Sequence, residues 1–235
     1  MEIPHVKIYA DGADLESIIA LAEDPRISGF TTNPTLMRKA GVDNYESFAH
    51  KVLETITRHP ISFEVFADEP AEMVRQARLI SSWGDNVYVK IPITNTQGVP
   101  SDEVIRELSA DGVHLNVTAL MTVAQVEAVA QASVGGPGHV VSVFAGRIAD
   151  TGRDPMPIMA QALEVLAPQP ELELLWASPR EVLNVRQAEQ VGVHIITATP
   201  DLIAKMASFD KDLDQFSLET VQMFHDDAAA AGYTL

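Results

Sequence analysis

The sequence predicts an α/β fold in which eight βα units close into a single (β/α)8 barrel of the TIM type, followed by an extra C-terminal helix. Three observations predict it. Short apolar, β-branched runs alternate with amphipathic stretches of helical length from end to end. There are eight such cycles, the number that closes. No Pro/Gly/Ser-rich linker interrupts them, so residues 1–235 read as one domain, with the barrel over about 6–208 and a helical extension over about 211–231. An open, doubly wound sheet is the competing arrangement.

Taken in order, the strand-like runs are VKIYAD (6–11), GFTTNP (29–34), ISFEVF (61–66), VYVKIPI (87–93), HLNVTAL (114–120), HVVSVFAG (139–146), ELLWAS (173–178) and VHIITATP (193–200). Between them lie helical patterns such as LESIIALAED, YESFAHKVLETI, PAEMVRQARLI, SDEVIRELSADG, TVAQVEAVAQAS and PREVLNVRQAEQVG. VGGPGH (134–139) reads as the turn into the sixth strand, because glycine and proline punctuate elements. The tail, DKDLDQFSLETVQMFHDDAAAAGYTL, continues as helix and either covers the barrel or docks on a neighbouring subunit.

Composition narrows the function classes. A net charge of −17 argues against a nucleic-acid surface, which needs clustered cations. It also makes an arginine in a cleft conspicuous, because an anionic ligand must be held locally against the overall field. No run of about 18 apolar residues suggests a membrane span, and the start lacks a secretion-signal layout. The chain has no cysteine, which removes thiol chemistry and thiolate-held metals and is compatible with a cytoplasmic home. Histidines do not form HxH or HExxH spacings, so no metal site is expected. His114, His139 and His194 begin strands, the stability end of a barrel, and read as structural or solvent-facing.

The chemistry shows in polar residues near the C-terminal ends of strands, where barrels carry their sites. The candidates are Asp11, Asn33, Glu64, Lys90, Asn116, Thr118, Ser142, Ser178 and Arg180, with Arg147 just beyond the sixth strand. Alternation points Asn116 with Thr118, Ser142 with Phe144, and Ser178 with Arg180 the same way. Lys90, Asn116 and Ser142 recur every 26 residues, as equivalent positions in consecutive units should. A lysine inside VYVKIPI loses hydration, which lowers its pKa toward the neutral amine that attacks carbonyls. The alternative is a buried ion pair with Glu64 or Asp11. Asp11 either serves chemistry or caps the helix after it. Glu64, among apolar neighbours, is costly unless paired or protonated, and burial would suit it to proton transfer. Asn33 before Pro34 is also a turn signal. Arg147 and Arg180 match phosphate geometry or are plain surface arginines at helix starts.

The strings YADGADLE, GFTTNPTLM, FEVF, VYVKIPIT, LNVTAL, SVFAGRIADTG and WASPR, in this order over about residues 6–200, resemble the transaldolase family, in particular its short single-barrel branch that also includes fructose-6-phosphate aldolase. The resemblance implies a cofactor-free transferase acting on sugar phosphates. It makes Lys90 the imine-forming amine and Asp11 the base at the donor C4 hydroxyl. Glu64, with a water held by Thr118, would shuttle protons. Asn33, Asn116 and Ser142 would hold hydroxyls of the dihydroxyacetone unit, and Arg147, Ser178 and Arg180 the phosphate. Members that act as simple aldolases tend to carry glutamine at the position of Glu64 and tyrosine at that of Phe144, so the resemblance favours transfer over release of dihydroxyacetone. Gly12, where threonine is common, and Met121–Thr122, where an aromatic–serine pair is usual, depart from the pattern and imply an unusual acceptor. A homo-oligomer is expected. A non-catalytic sugar-phosphate-binding barrel is the reading from another class.

Overall fold

The computed structural model describes residues 5–234; residues 1–4 and 235 of the expected 1–235 domain lie outside the described residues. The elements follow as β1 (Lys7–Asp11), α1 (Leu15–Ala22), β2 (Ile27–Thr31), α2 (Pro34–Lys39), α3 (Tyr45–Thr55), β3 (Ile61–Glu64), α4 (Pro70–Ser81) and β4 (Val87–Pro92). Then come α5 (Asp102–Ala110), β5 (Leu115–Leu120), α6 (Val123–Ala132), β6 (His139–Val143), α7 (Ala145–Ala149), α8 (Met156–Leu166), β7 (Leu172–Trp176), α9 (Leu183–Val191), β8 (Ile195–Ala198), α10 (Pro200–Lys205) and α11 (Leu213–Ala230). All eight strands run parallel and close in chain order, β1 to β8 and back to β1. The chain is a (β/α)8 barrel, and the open-sheet alternative falls.

Two apolar layers hold it. Outward-facing strand residues such as Ile8, Phe30, Phe63, Val89 and Leu115 pack against the helices in one continuous core. Inward-facing Tyr9, Val140, Leu175, Ala177 and Ile195 form a separate cluster that fills the ring below the site. Tyr9 fits because its neighbour across the β1–β2 pair is Gly29: a Cβ there would stand 2.6 Å from the phenol ring.

Strand ends differ from the sequence expectation where caps intervene. β2 stops at Thr31 rather than reaching Pro34, because Asn33 accepts the Leu36 amide at 2.9 Å and Pro34 opens α2. β3 stops at Glu64; the Phe66 amide turns aside to Gln76 Oε1 at 2.8 Å.

The three strand-start histidines are structural. His139 is 1 % exposed and takes the Leu115 amide on Nδ1 at 3.1 Å, so Nε2 carries the proton toward Ser109 Oγ at 2.8 Å. Burial, helped by His114, pushes its pKa down to about 4. His194 Nδ1 accepts the Leu174 amide, and His114 Nδ1 meets the Gly138 carbonyl.

No residue of α11 is buried. Among the described residues, no helix is long and apolar enough to cross a membrane.

Candidate active site

Parallel register builds the centre. Glu64 on β3 pairs with Lys90 on β4, and Lys90 with Asn116 on β5, so three polar side chains stand side by side on the inner face. They open into a cavity of about 400 Å³ at the C-terminal ends of the strands. Asp11, Asn33, Glu64, Lys90, Asn116, Thr118, Ser142, Phe144, Arg147 and Ser178 all line it. Of the residues singled out in the sequence, Arg180 alone does not.

Lys90 is 8 % exposed. Its Nζ donates to the Thr32 carbonyl at 2.9 Å and lies 3.3 Å from Glu64 Oε2. The ion pair considered from sequence is therefore present, and it involves Glu64. Tyr45 from α3 fixes the Glu64 backbone: its hydroxyl accepts the Glu64 amide at 2.6 Å and donates to the Glu64 carbonyl at 3.1 Å. Burial raises the Tyr45 pKa, which keeps that donor protonated.

Asp11 does not cap α1. That work falls to Asp14, which accepts the Ser17 amide at 2.8 Å. Asp11 instead accepts the Thr31 hydroxyl at 2.8 Å and the Asn33 amide nitrogen at 3.3 Å. Thr31 has one proton and gives it to Asp11, so Thr197, at 2.5 Å, donates to Thr31. Asn33 thereby does two jobs, capping α2 with its oxygen and reaching Asp11 with its nitrogen. Burial pushes the Asp11 pKa up, against the lowering influence of Lys90 and of the hydrogen bonds from Thr31 and Asn33.

Asn116 is held at both ends of its amide. Nδ2 donates to Ser62 Oγ at 3.0 Å, and Oδ1 accepts the Ser142 hydroxyl at 2.6 Å. Thr118 Oγ1 is buried and has no protein hydrogen-bond partner. Phe144 lies beneath Arg147, whose guanidinium carbon sits 5.7 Å from the ring centre.

The far side of the mouth is built where the first turn of α7 meets the loop after β7. The Gly146 amide donates to the Ala177 carbonyl at 3.2 Å, and a Cβ on Gly146 would stand 1.5 Å from the Ser178 oxygen. Ser178 has φ 57° and Ala119 φ 67°, left-handed conformations that non-glycine residues adopt at a cost of about 1 kcal/mol or more each. The strained Ser178 explains Arg180. β7 ends at Trp176, so alternation no longer holds two residues beyond Ser178, and the Arg180 side chain turns to Asp150. Its Nε–Oδ1 distance is 3.0 Å, and Nη2 meets Oδ2 as well.

Sequence reasoning missed Thr31, Thr197, Tyr45, Ser62 and Asp150. Thr31 and Thr197 lay within quoted strand runs and Tyr45 within a quoted helical pattern, and none was singled out. Among the described residues no three His, Asp or Glu side chains converge as a metal site. The cations at the cavity are Lys90 and Arg147.

Fold and site together define a (β/α)8 barrel with a buried lysine–carboxylate centre at its C-terminal mouth. The family model for Transaldolase/Fructose-6-phosphate aldolase matches residues 8–235, and the chain belongs to that family. It is 35% identical over 202 residues to a "Probable transaldolase" of Dehalococcoides mccartyi, covering 86% of this chain and 90% of that protein. It is 33% identical over 215 residues to "Probable transaldolase 2" of Listeria monocytogenes, covering 90% and 94%. Its fold is similar to 2,3-dimethylmalate lyase (TM-score 0.57, 16% identity, 98% and 85% covered) and to KGPDC from Streptococcus mutans (TM-score 0.54, 12% identity, 85% and 89% covered). At such identities the last two bear on fold alone. Family membership and the names of these relatives support an enzyme, a transferase.

Proposed function

We propose that the chain transfers a dihydroxyacetone unit from a ketose phosphate, fructose 6-phosphate or sedoheptulose 7-phosphate, to an aldose phosphate through an imine on Lys90. The observation that carries this reading is one buried amine, 3.3 Å from Glu64, sharing a cavity with a separate carboxyl, Asp11.

Attack on the ketose carbonyl requires the free amine, and Glu64 stands where it can take the Lys90 proton. The same carboxyl then donates as the carbinolamine loses water. The unpartnered Thr118 hydroxyl supports its assignment as the second anchor of a water shared with Glu64. Asp11 removes the proton from the C4 hydroxyl as the C3–C4 bond breaks, leaving the enamine on Lys90 and freeing an aldehyde. Its raised pKa suits a group that must hold that proton and return it when the acceptor aldehyde adds. Water then hydrolyses the new imine. Asn33, Asn116 and Ser142 are assigned to sugar hydroxyls, and Arg147, Ser178 and Arg180 to the phosphate. Phe144 offers no proton at the mouth, which favours transfer over release of dihydroxyacetone.

The proposal also includes a homo-oligomer, because α11 exposes Phe216, Val221 and Phe224 with no cover from its own barrel. A cytoplasmic setting fits such substrates.

Borohydride reduction in the presence of fructose 6-phosphate tests the centre. A dihydroxyacetone-derived mass is expected on the peptide holding Lys90 and is absent in Lys90→Ala. Labelling elsewhere, or none with any ketose phosphate, overturns the reading. Turnover that needs no aldose phosphate would replace transferase by aldolase.

A further inference from the structure

The contact between Arg180 and Asp150 lies just outside the cavity, beside the rim that Arg147 and Ser178 form. Arg180 lies two residues past Ser178, which lines the cavity, and its Nε stands 3.4 Å from where a Cβ on Gly146 would be, next to Arg147. Asp150 Oδ1 and Oδ2 engage Nε and Nη2, the guanidinium edge that recognises a phosphate monoester. The pair is about half exposed on both sides, 48% and 52%, and such pairs are weak enough to exchange. The Arg180 backbone is fixed independently, its amide donating to Asn184 Oδ1 at 2.7 Å, so only the side chain has to turn. Among the described residues Arg147 makes no ion pair within 4 Å, and its charge reaches Asp150 only at longer range.

We propose that Asp150 is a built-in competitor that occupies the phosphate-binding edge of Arg180, which is surrendered only to a ligand carrying a phosphate dianion. Asp150 is thus a positioning residue that sets discrimination between phosphorylated and unphosphorylated sugars. Arg147 and Ser178 form the standing part of the anion subsite, and Arg180 the part recruited by exchange. The Arg180 and Arg147 charges hold the Asp150 carboxyl below the usual aspartate range, so the competitor stays charged through neutral pH. This inference rests on the phosphate assignment made above.

Inorganic phosphate, titrated calorimetrically into the intact protein, gives a readout independent of turnover. Asp150→Asn is expected to tighten phosphate by about two- to fivefold. The same variant should lower KM for fructose 6-phosphate by a similar factor while kcat holds, with KM for fructose unmoved. Arg180→Gln should weaken phosphate, and the double variant should match Arg180→Gln alone. Looser phosphate binding in Asp150→Asn would overturn the proposal, showing that the carboxylate holds Arg180 in its productive pose. So would an unchanged affinity, or a gain that persists without Arg180. Failure of the Lys90 imine trap with these phosphate responses intact would instead indict the reaction assignment.

Discussion

Desolvation shifts both Asp11 and His139, and acidity acts on them in opposite directions. The folded state holds the Asp11 proton above the ordinary aspartate value near 3.8, whereas the unfolded chain releases it there. Stability from this group therefore falls as pH rises through that window, and Asp11 costs the fold at neutral pH. Asp11→Asn is expected to melt no lower than wild type at pH 7, and above it if nothing else relaxes. Turnover should meanwhile fall by about 10²–10⁴-fold. Calorimetry beside steady-state rates checks both. His139, with its pKa near 4, stays neutral when folded while the unfolded imidazole takes a proton near 6.5. The unfolded state then binds more protons between those values, so stability is complete above pH 6.5 and declines as pH falls toward 4, by about 3 kcal/mol. Denaturant titrations across that range should show the slope, and His139→Gln should flatten it.

At the same scale, the sequence was informative where a polar group interrupts an apolar strand. Lys90, Glu64 and Asn116 stand out in that way and prove to be register neighbours. Thr31 and Thr197 were not legible, because threonine is an ordinary strand former and only the closed ring brings β8 beside β1 and β2. Arg180 misled because period-two reasoning was carried past the end of β7.

Among the elements, strain falls near the C-terminal end of β5, at Ala119, and on the loop after β7, at Ser178, with tight contact at Gly146 of α7. Strand periodicity foretold all eight strands, yet it carried no sign of α7, whose five residues are too few for a helical pattern. Capping chemistry moved the ends of β2, since Asn33 serves α2 before it serves the site. Gly146→Ala is expected to cost about 3 kcal/mol or more, because its methyl group cannot coexist with the Ser178 carbonyl. A normal melting temperature for that variant, with unaltered KM for sugar phosphates, would show that α7 and the loop after β7 separate freely.

For the whole molecule, the closed barrel was readable from the count of eight cycles, whereas the position of α11 was not: an amphipathic helix states that it needs cover without saying whose. If the cover is a second copy, Val221→Glu with Phe224→Glu should reduce the mass measured by light scattering to that of one chain. An unchanged mass would remove α11 from the assembly, and a wild type that already runs as one chain would remove the assembly itself.

The side-by-side seating of Glu64, Lys90 and Asn116 makes the amine a gauge of alignment. Sliding β4 by two residues against either neighbour would carry Lys90 about 7 Å along the ring wall and out of reach of its carboxylate. Trapping a ketose on that lysine during refolding would thus time the moment at which the strands find their final pairing, a step that circular dichroism, blind to slippage, does not resolve.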